Sequence, residues 1–239
     1  MLETEKRYLA TAGRAEQVAI DEGLRQHMLR VYNYMASGLL LTGIVAYFVA
    51  NTPSVAGAIF GTPLAWVAML APLAFVMVLS FGINRLSFSA AQAIYWVYAA
   101  VMGLSMASIL MVFTGASVAR VFFITAGTFA AMSVYGYTTK SDLSRFGAFL
   151  FMGLIGILIA GLVNIFVAST ALQFAISVIG VLVFTGLTAY DTQRIKEIYL
   201  ESDDAEVGGK KALMGALSLY LDFINLFMML VQLVGQRRD

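Results

Sequence analysis

Along this chain the apolar positions fall into seven long runs, each closed by a short polar or helix-breaking stretch. A helix needs about 20 predominantly apolar residues to cross the hydrocarbon core of a bilayer. The runs at residues 28–50, 64–83, 91–113, 118–137, 146–168, 172–200 and 212–234 each meet that length. Asn51, Thr52 and Pro53 end the first run, and a Gly/Pro/Ala segment leads into the second. Pro72 inside the second run predicts a kink, which neighbouring helices tolerate in a membrane. No proline follows it, so the later helices carry no proline hinge. The sixth run continues as a helical pattern to Leu200 and is longer than a bilayer is thick, so its last turns project into the aqueous phase.

The preceding residues 1–26 break the pattern. They are polar and mixed in charge, with Leu9, Val18, Ile20 and Leu24 forming only a weak apolar stripe. They read as a partly helical polar tail, either a partner-binding arm or a frayed terminus. No apolar stretch follows a basic start there, so the expectation is that the first span itself acts as the insertion signal. Small residues four apart, Gly127 with Ala131, Gly156 with Ala160 and Ala212 with Ala216, predict close helix approach.

Composition agrees with this patterning. The chain is 60% hydrophobic and 12% charged, whereas a soluble domain is about half apolar and a quarter charged. The expected fold class is an all-α polytopic membrane protein, with a polar tail at 1–26 and one seven-helix membrane domain at 27–239. A net charge of +1 gives no nucleic-acid signature. Cysteine is absent, which removes disulfides and thiolate chemistry. Of the fifteen basic residues, twelve fall on the side of the N-terminus, against Arg120, Arg237 and Arg238 on the other. The positive-inside rule then places the N-terminus in the cytoplasm. Were the last run a re-entrant hairpin, Arg237 and Arg238 would join the basic side. The uninterrupted length of the run favours a crossing.

Candidate chemistry sits in the last two runs. The final run carries one acid near its middle, Asp222. An ionised carboxylate at that depth costs roughly 2.5–3.5 kcal/mol on insertion scales, so it needs a partner or a proton. Counted from the loop they share, Asp191 on the preceding helix lies within about one helical turn of the same depth. Two carboxyls in a poorly hydrated site do not both ionise cheaply and tend to share one proton. The same oxygens suit a hard cation such as Ca²⁺. Asp191 and Asp222 are therefore a candidate pH sensor and a candidate calcium site. Asn225 shares a helix face with Asp222 and is a candidate supporting donor. Arg85, closing the second span on the same side, is a candidate latch for either acid, its guanidinium matching a carboxylate pair; an ordinary interfacial anchor is its plainer role. Arg120 reads as an interfacial anchor. The acidic loop LESDDAEVGGKK lacks the ligand spacing of an EF-hand and reads as solvated. His27 is the only histidine, which argues against a zinc site or a Ser-His dyad in the membrane.

Three segments, MSVYGYTTKSDLSRFGAFLFMGLIG at 132–156, FTGLTAYDTQRIKEIY at 184–199 and ALSLYLDFINLF at 216–227, resemble the transmembrane Bax inhibitor motif family, the Bax inhibitor-1-like proteins, and bacterial members above all. With the seven-span layout the resemblance covers most of the chain apart from the tail. It implies a pH-sensitive calcium-leak channel of the cell (inner) membrane whose last helix is central and wrapped by the other six. The two-aspartate sensor of the family matches Asp191 and Asp222. The latch arginine falls on Arg85 once a small gap is allowed. An acidic residue present in the second span of some relatives has no counterpart between residues 64 and 83. The implied partners are the lipid bilayer, Ca²⁺ and protons, with no resident cofactor beyond transient Ca²⁺. Some family members are linked instead to regulation of a membrane-bound protease, which makes a non-conducting regulator the alternative function. AYD and YLD also look similar to the helices of intramembrane aspartyl proteases. The Gly-x-Gly-Asp and Pro-Ala-Leu motifs of those enzymes are missing here, and the chain is not expected to be an enzyme.

Overall fold

A computed structural model describes the backbone of residues 2–238 and the side chains of residues 22–238. The described residues form eight helices: α1 (Leu2–Ala50), α2 (Pro53–Phe60), α3 (Leu64–Gly82), α4 (Phe88–Val112), α5 (Gly115–Thr138), α6 (Ser144–Val167), α7 (Thr170–Glu197) and α8 (Ala205–Val234). Seven of them are long and apolar enough to cross a membrane, counting Glu22–Ala50 of α1 and every helix from α3 onward. Their ends are set by local chemistry. Ser87, Thr114, Ser169 and Asp204 each accept a backbone N–H of the helix they open, which satisfies a donor the first turn would otherwise leave bare. Pro53 at the start of α2 turns the Gly/Pro/Ala segment into a short helix, since its fixed φ suits a first helical position. At the other end of α6, Ala168 takes a left-handed φ of 49°. Asn164 stabilises that turn by accepting the N–H of Ser169 at 3.0 Å.

The tail boundary at residue 26 lies inside α1, which runs without a break from Leu2. Pro72 is buried within α3, and the helix continues on both sides of it.

The loops gather on two faces. On the face where the membrane portion of α1 begins, Lys196 donates to the Tyr137 carbonyl and Lys211 to the Ile198 carbonyl, both at 2.9 Å. Gln193 bridges the α5–α6 loop, donating to Ser141 O at 2.8 Å and accepting from Leu143 N at 2.9 Å. On the opposite face the end of the chain is strapped to the α4–α5 loop. Thr114 N donates to Gln236 O and Arg238 N to Val112 O, both at 2.9 Å, and Gln236 N donates to Ser117 Oγ at 2.8 Å. The last run is thus a single 30-residue helix joining the two faces, and the re-entrant alternative is excluded.

α8 is the most deeply buried span, with Ala212, Ala216, Leu219, Tyr220, Leu226 and Val231 fully enclosed. Its main neighbours are α7, α1, α5 and α4. α3 packs chiefly on α4 and α6 on α7, forming outer elements of the bundle. The arrangement around α8 is therefore four principal neighbours with two helices behind them, a looser enclosure than six helices wrapped about one.

Close packing does use small residues, but not all those expected. Ala212 and Ala216 are buried, whereas Gly127 and Gly156 face open space where lipid lies. The glycines that permit close approach are others. A Cβ on Gly136 of α5 would collide with the carbonyl oxygen of Ala189 on α7, and one on Gly147 would run into the Tyr190 ring. In lipid there is little hydrophobic drive between helices, so such backbone contacts carry much of the association. Gly136→Ala should cost at least about 2 kcal/mol, because a carbonyl cannot yield as a side chain does. The expected readout is a clear drop in melting temperature in detergent. Gly156→Ala, in open space, should melt with the parent.

Candidate functional site

Asp191 and Asp222 come together where α7 and α8 run antiparallel. Lys211 reaches the Ile198 carbonyl at one end of the seam, and Gly180 faces Met229 near the other. That register puts Asp222 level with Leu187, one helical turn from Asp191. A side chain leaning along the groove closes the gap, and the two carboxyls lie within hydrogen-bonding reach of each other. Asp222 is only 4% exposed. Its Oδ2 is fully buried and has no partner among the described residues. Asp191 is partly buried.

Both acids open onto a chamber of ≈ 470 Å³ between α6, α7 and α8, whose polar lining includes Arg194, Ser218 and Asn225. Gly147 opens part of its α6 wall, and Phe184 and Leu187 supply apolar surface. The buried threonines of α7 are already satisfied. Thr188 donates to Phe184 O at 2.8 Å and Thr192 to Thr188 O at 2.7 Å. Thr192 also meets Ser133 at 3.0 Å, and Ser133 meets Tyr32 at 2.6 Å, forming a hydroxyl chain from α7 through α5 to α1. The buried Asp222 oxygen keeps unspent capacity at the chamber, which is where proton or cation chemistry can occur.

The candidate latch is elsewhere. Arg85 lies exposed in the turn between α3 and α4, where its backbone N–H donates to Gly82 O at 2.8 Å. It does not line the chamber. The reason is topological: α3 packs on α4 and keeps its end away from the α7–α8 seam. The cation that faces the pair is Arg194, three residues after Asp191 and so on the same side of α7. Asn225 does line the chamber, but its Nδ2 donates to Leu221 O of its own helix at 2.8 Å rather than to a carboxyl. Arg194 and Ser218 were not singled out from the sequence, although each stands at helical spacing from an acid. The hydroxyl chain had no sequence signal, because it links three helices far apart in the chain.

The other chemistry-bearing positions are structural. The α7–α8 loop is tied to α8 by the ion pair of Lys211 with Asp203 at 2.6 Å, and Lys210 pairs with Glu206 within the first turns of α8 at 2.8 Å. His27 is buried against the Tyr199 ring, with centroids 5.5 Å apart. No group of three or more His, Cys, Asp or Glu side chains that could hold a metal occurs among the described residues.

Comparison with known proteins places these features in context. A family model described as "Inhibitor of apoptosis-promoting Bax1" matches residues 24–239. The chain is similar to an uncharacterized protein of Rickettsia prowazekii (strain Madrid E), 48% identical over 92% of this chain and 93% of that protein. It is equally similar to the inner membrane protein YbhL of Escherichia coli (strain K12), 48% identical over 90% of this chain and 94% of that one. An uncharacterized membrane protein of Streptococcus pyogenes is 36% identical over 90% and 95%.

The contact between the acids has a direct consequence for stability. In Asp222→Asn an amide N–H donates to the Asp191 carboxylate, so the melting temperature at neutral pH should equal or exceed that of the parent. Asp191→Ala leaves the buried Asp222 alone and should lose about 1–3 kcal/mol, the usual cost of a stranded buried polar group. Thermal unfolding of the two variants in detergent measures both.

Proposed function

Because the chain belongs to the Bax inhibitor-1-like family of membrane proteins, we propose that it is a pH-sensitive calcium-leak channel of the cell membrane, gated by a proton shared between Asp191 and Asp222. The observation that carries this reading is the contact of the two carboxyls at the wall of a ≈ 470 Å³ chamber at membrane depth. Intramembrane acids that face each other and a cavity mark ion or proton pathways by default. With one proton between them the pair holds a single negative charge; with none it holds two, which repel each other and draw a cation. Calcium takes 6–8 oxygen ligands. Two carboxylates supply fewer, so water completes the shell and the ion passes rather than stays.

The N-terminus is cytoplasmic in this reading. Arg25, Arg30, Arg85, Lys140, Arg145, Arg194, Lys196, Lys210 and Lys211 share its face, against Arg120, Arg237 and Arg238 on the other, as the positive-inside rule requires. The role is transport rather than catalysis. The two acids stand without the motifs of aspartyl proteases, and the pair is a gate rather than a catalytic dyad.

Purified protein in liposomes loaded with a calcium dye tests this. The expected result is a leak that depends on pH, with the dependence flattened in Asp191→Asn and in Asp222→Asn. Arg194→Gln should change the midpoint, since Arg194 is the cation that lines the chamber beside the pair. Arg85→Gln should leave the midpoint in place. Influx equal to that of empty liposomes at every pH would overturn the channel and leave a non-conducting regulator, such as a modulator of a membrane protease, as the function.

A further inference from the structure

We propose that the seam between α1 and α5 is a binding site for one anionic phospholipid, with its headgroup at Arg25 and an acyl chain lying along α8. α1 packs on α4 and α8, and α5 packs on α7 and α8, while the α1 and α5 backbones are not closely packed on each other and meet across the seam through the Tyr32–Ser133 hydrogen bond. Two hollows follow this seam. The one near the N-terminal face has a volume of ≈ 530 Å³ and runs from Arg25 past Met28 and Leu29 of α1, with Phe129 and Val134 of α5 opposite. The one toward the other face has ≈ 810 Å³ and is bounded by Leu39, Tyr47 and Phe122, with Phe223 of α8 as its floor. Gly43 and Gly127 border the seam with nothing within reach of a Cβ.

The lining identifies the occupant. Both hollows lie within spans that cross the membrane, so lipid is the medium at their mouths. Their volumes fall in the range that suits one small apolar ligand. The trough is not uniformly apolar: its N-terminal mouth carries the Arg25 guanidinium, and Lys196 sits over the Tyr137 ring on the same rim, 5.7 Å from its centroid. Among the described residues Arg25 pairs with Glu22 at 3.4 Å, and both side chains are more than half exposed. Such an exposed pair is weak, and a phosphate competes well for the planar guanidinium fork. Deeper in, the Tyr32–Ser133 hydroxyl pair spends its capacity internally, leaving an apolar bed for the chain. A cationic mouth over an apolar trough fits an anionic phospholipid. A second copy of this chain would have to insert a ridge with an acidic end.

The bed ends on α8 at Phe223, which packs edge-to-face on Phe122 and Phe129, each at 5.6 Å. Phe223 is the residue after Asp222, so an acyl chain in the seam bears on the helix segment that holds the acid.

The full-length protein in phosphatidylcholine vesicles doped with phosphatidylglycerol bearing a photoreactive acyl chain provides the test. Labelled peptides should come several-fold more often from residues 28–47 and 122–134 than from α3 or the lipid-facing side of α6. In native mass spectrometry one phosphatidylglycerol should remain bound per chain, and Arg25→Gln and Ala130→Trp should each lose it. Labelling spread evenly over all outer helices would overturn the site. Equal retention of phosphatidylcholine would overturn the anionic headgroup. A protein dimer joined along this seam, with no lipid retained, would replace the lipid with a second copy. Photolabelling of the unmodified chain decides the question even if Ala130→Trp fails to fold.

Discussion

A carboxyl held at the centre of the best-packed helix is the constraint that orders this bundle. Asp222 is buried, and an isolated charge at that depth is costly. Its relief comes from Asp191, one turn away across the α7–α8 seam, and that contact requires the antiparallel register to hold. Both ends of α8 are pinned for this purpose. Lys211 ties the start of the seam to Ile198, and the chain end is strapped to the α4–α5 loop through Gln236 and Arg238. A slip of α8 by one turn away from Asp191 would part the acids and strand Asp222. The nearby Thr188 and Thr192 hydroxyls on α7 are already paired, whereas the buried Asp222 oxygen is not.

Much of this was legible in the sequence because bilayer thickness is a severe filter. Seven runs of sufficient length leave little freedom in how the helices are counted, and a lone acid within one of them demands a partner whose depth can be found by counting from a shared loop. The one-turn offset between Asp191 and Asp222 is within what that count resolves. Lateral arrangement is a different matter. Arg85 has the right charge and depth, but helix neighbours are not encoded by depth, and α3 packs on α4 rather than beside the acids. Arg194 takes the place facing the pair because helical spacing, which is local, puts it there. Likewise a small-xxx-small pattern marks where close approach is permitted. Gly136 meets a facing backbone, whereas Gly127 and Gly156 meet none. The tail is a further case: polarity signals departure from the membrane, not the end of a helix, and α1 extends back through it to Leu2.

α8 thus separates two unlike environments. On one side Asp222 meets Asp191 and a chamber with polar walls; on the other Phe223 floors an apolar trough open to lipid. The two residues are adjacent, so the proposed proton site and the proposed lipid site lie on the same segment of the same helix.

The central claim is that one proton is shared by Asp191 and Asp222 within the membrane. Infrared difference spectroscopy of the protein in lipid, titrated between acidic and neutral pH, observes the protonated carboxyl directly. The account predicts a protonated-carboxyl band that titrates over that interval and is altered by both Asp191→Asn and Asp222→Asn. A band that responds to only one of the two substitutions, or that is absent throughout, would contradict it.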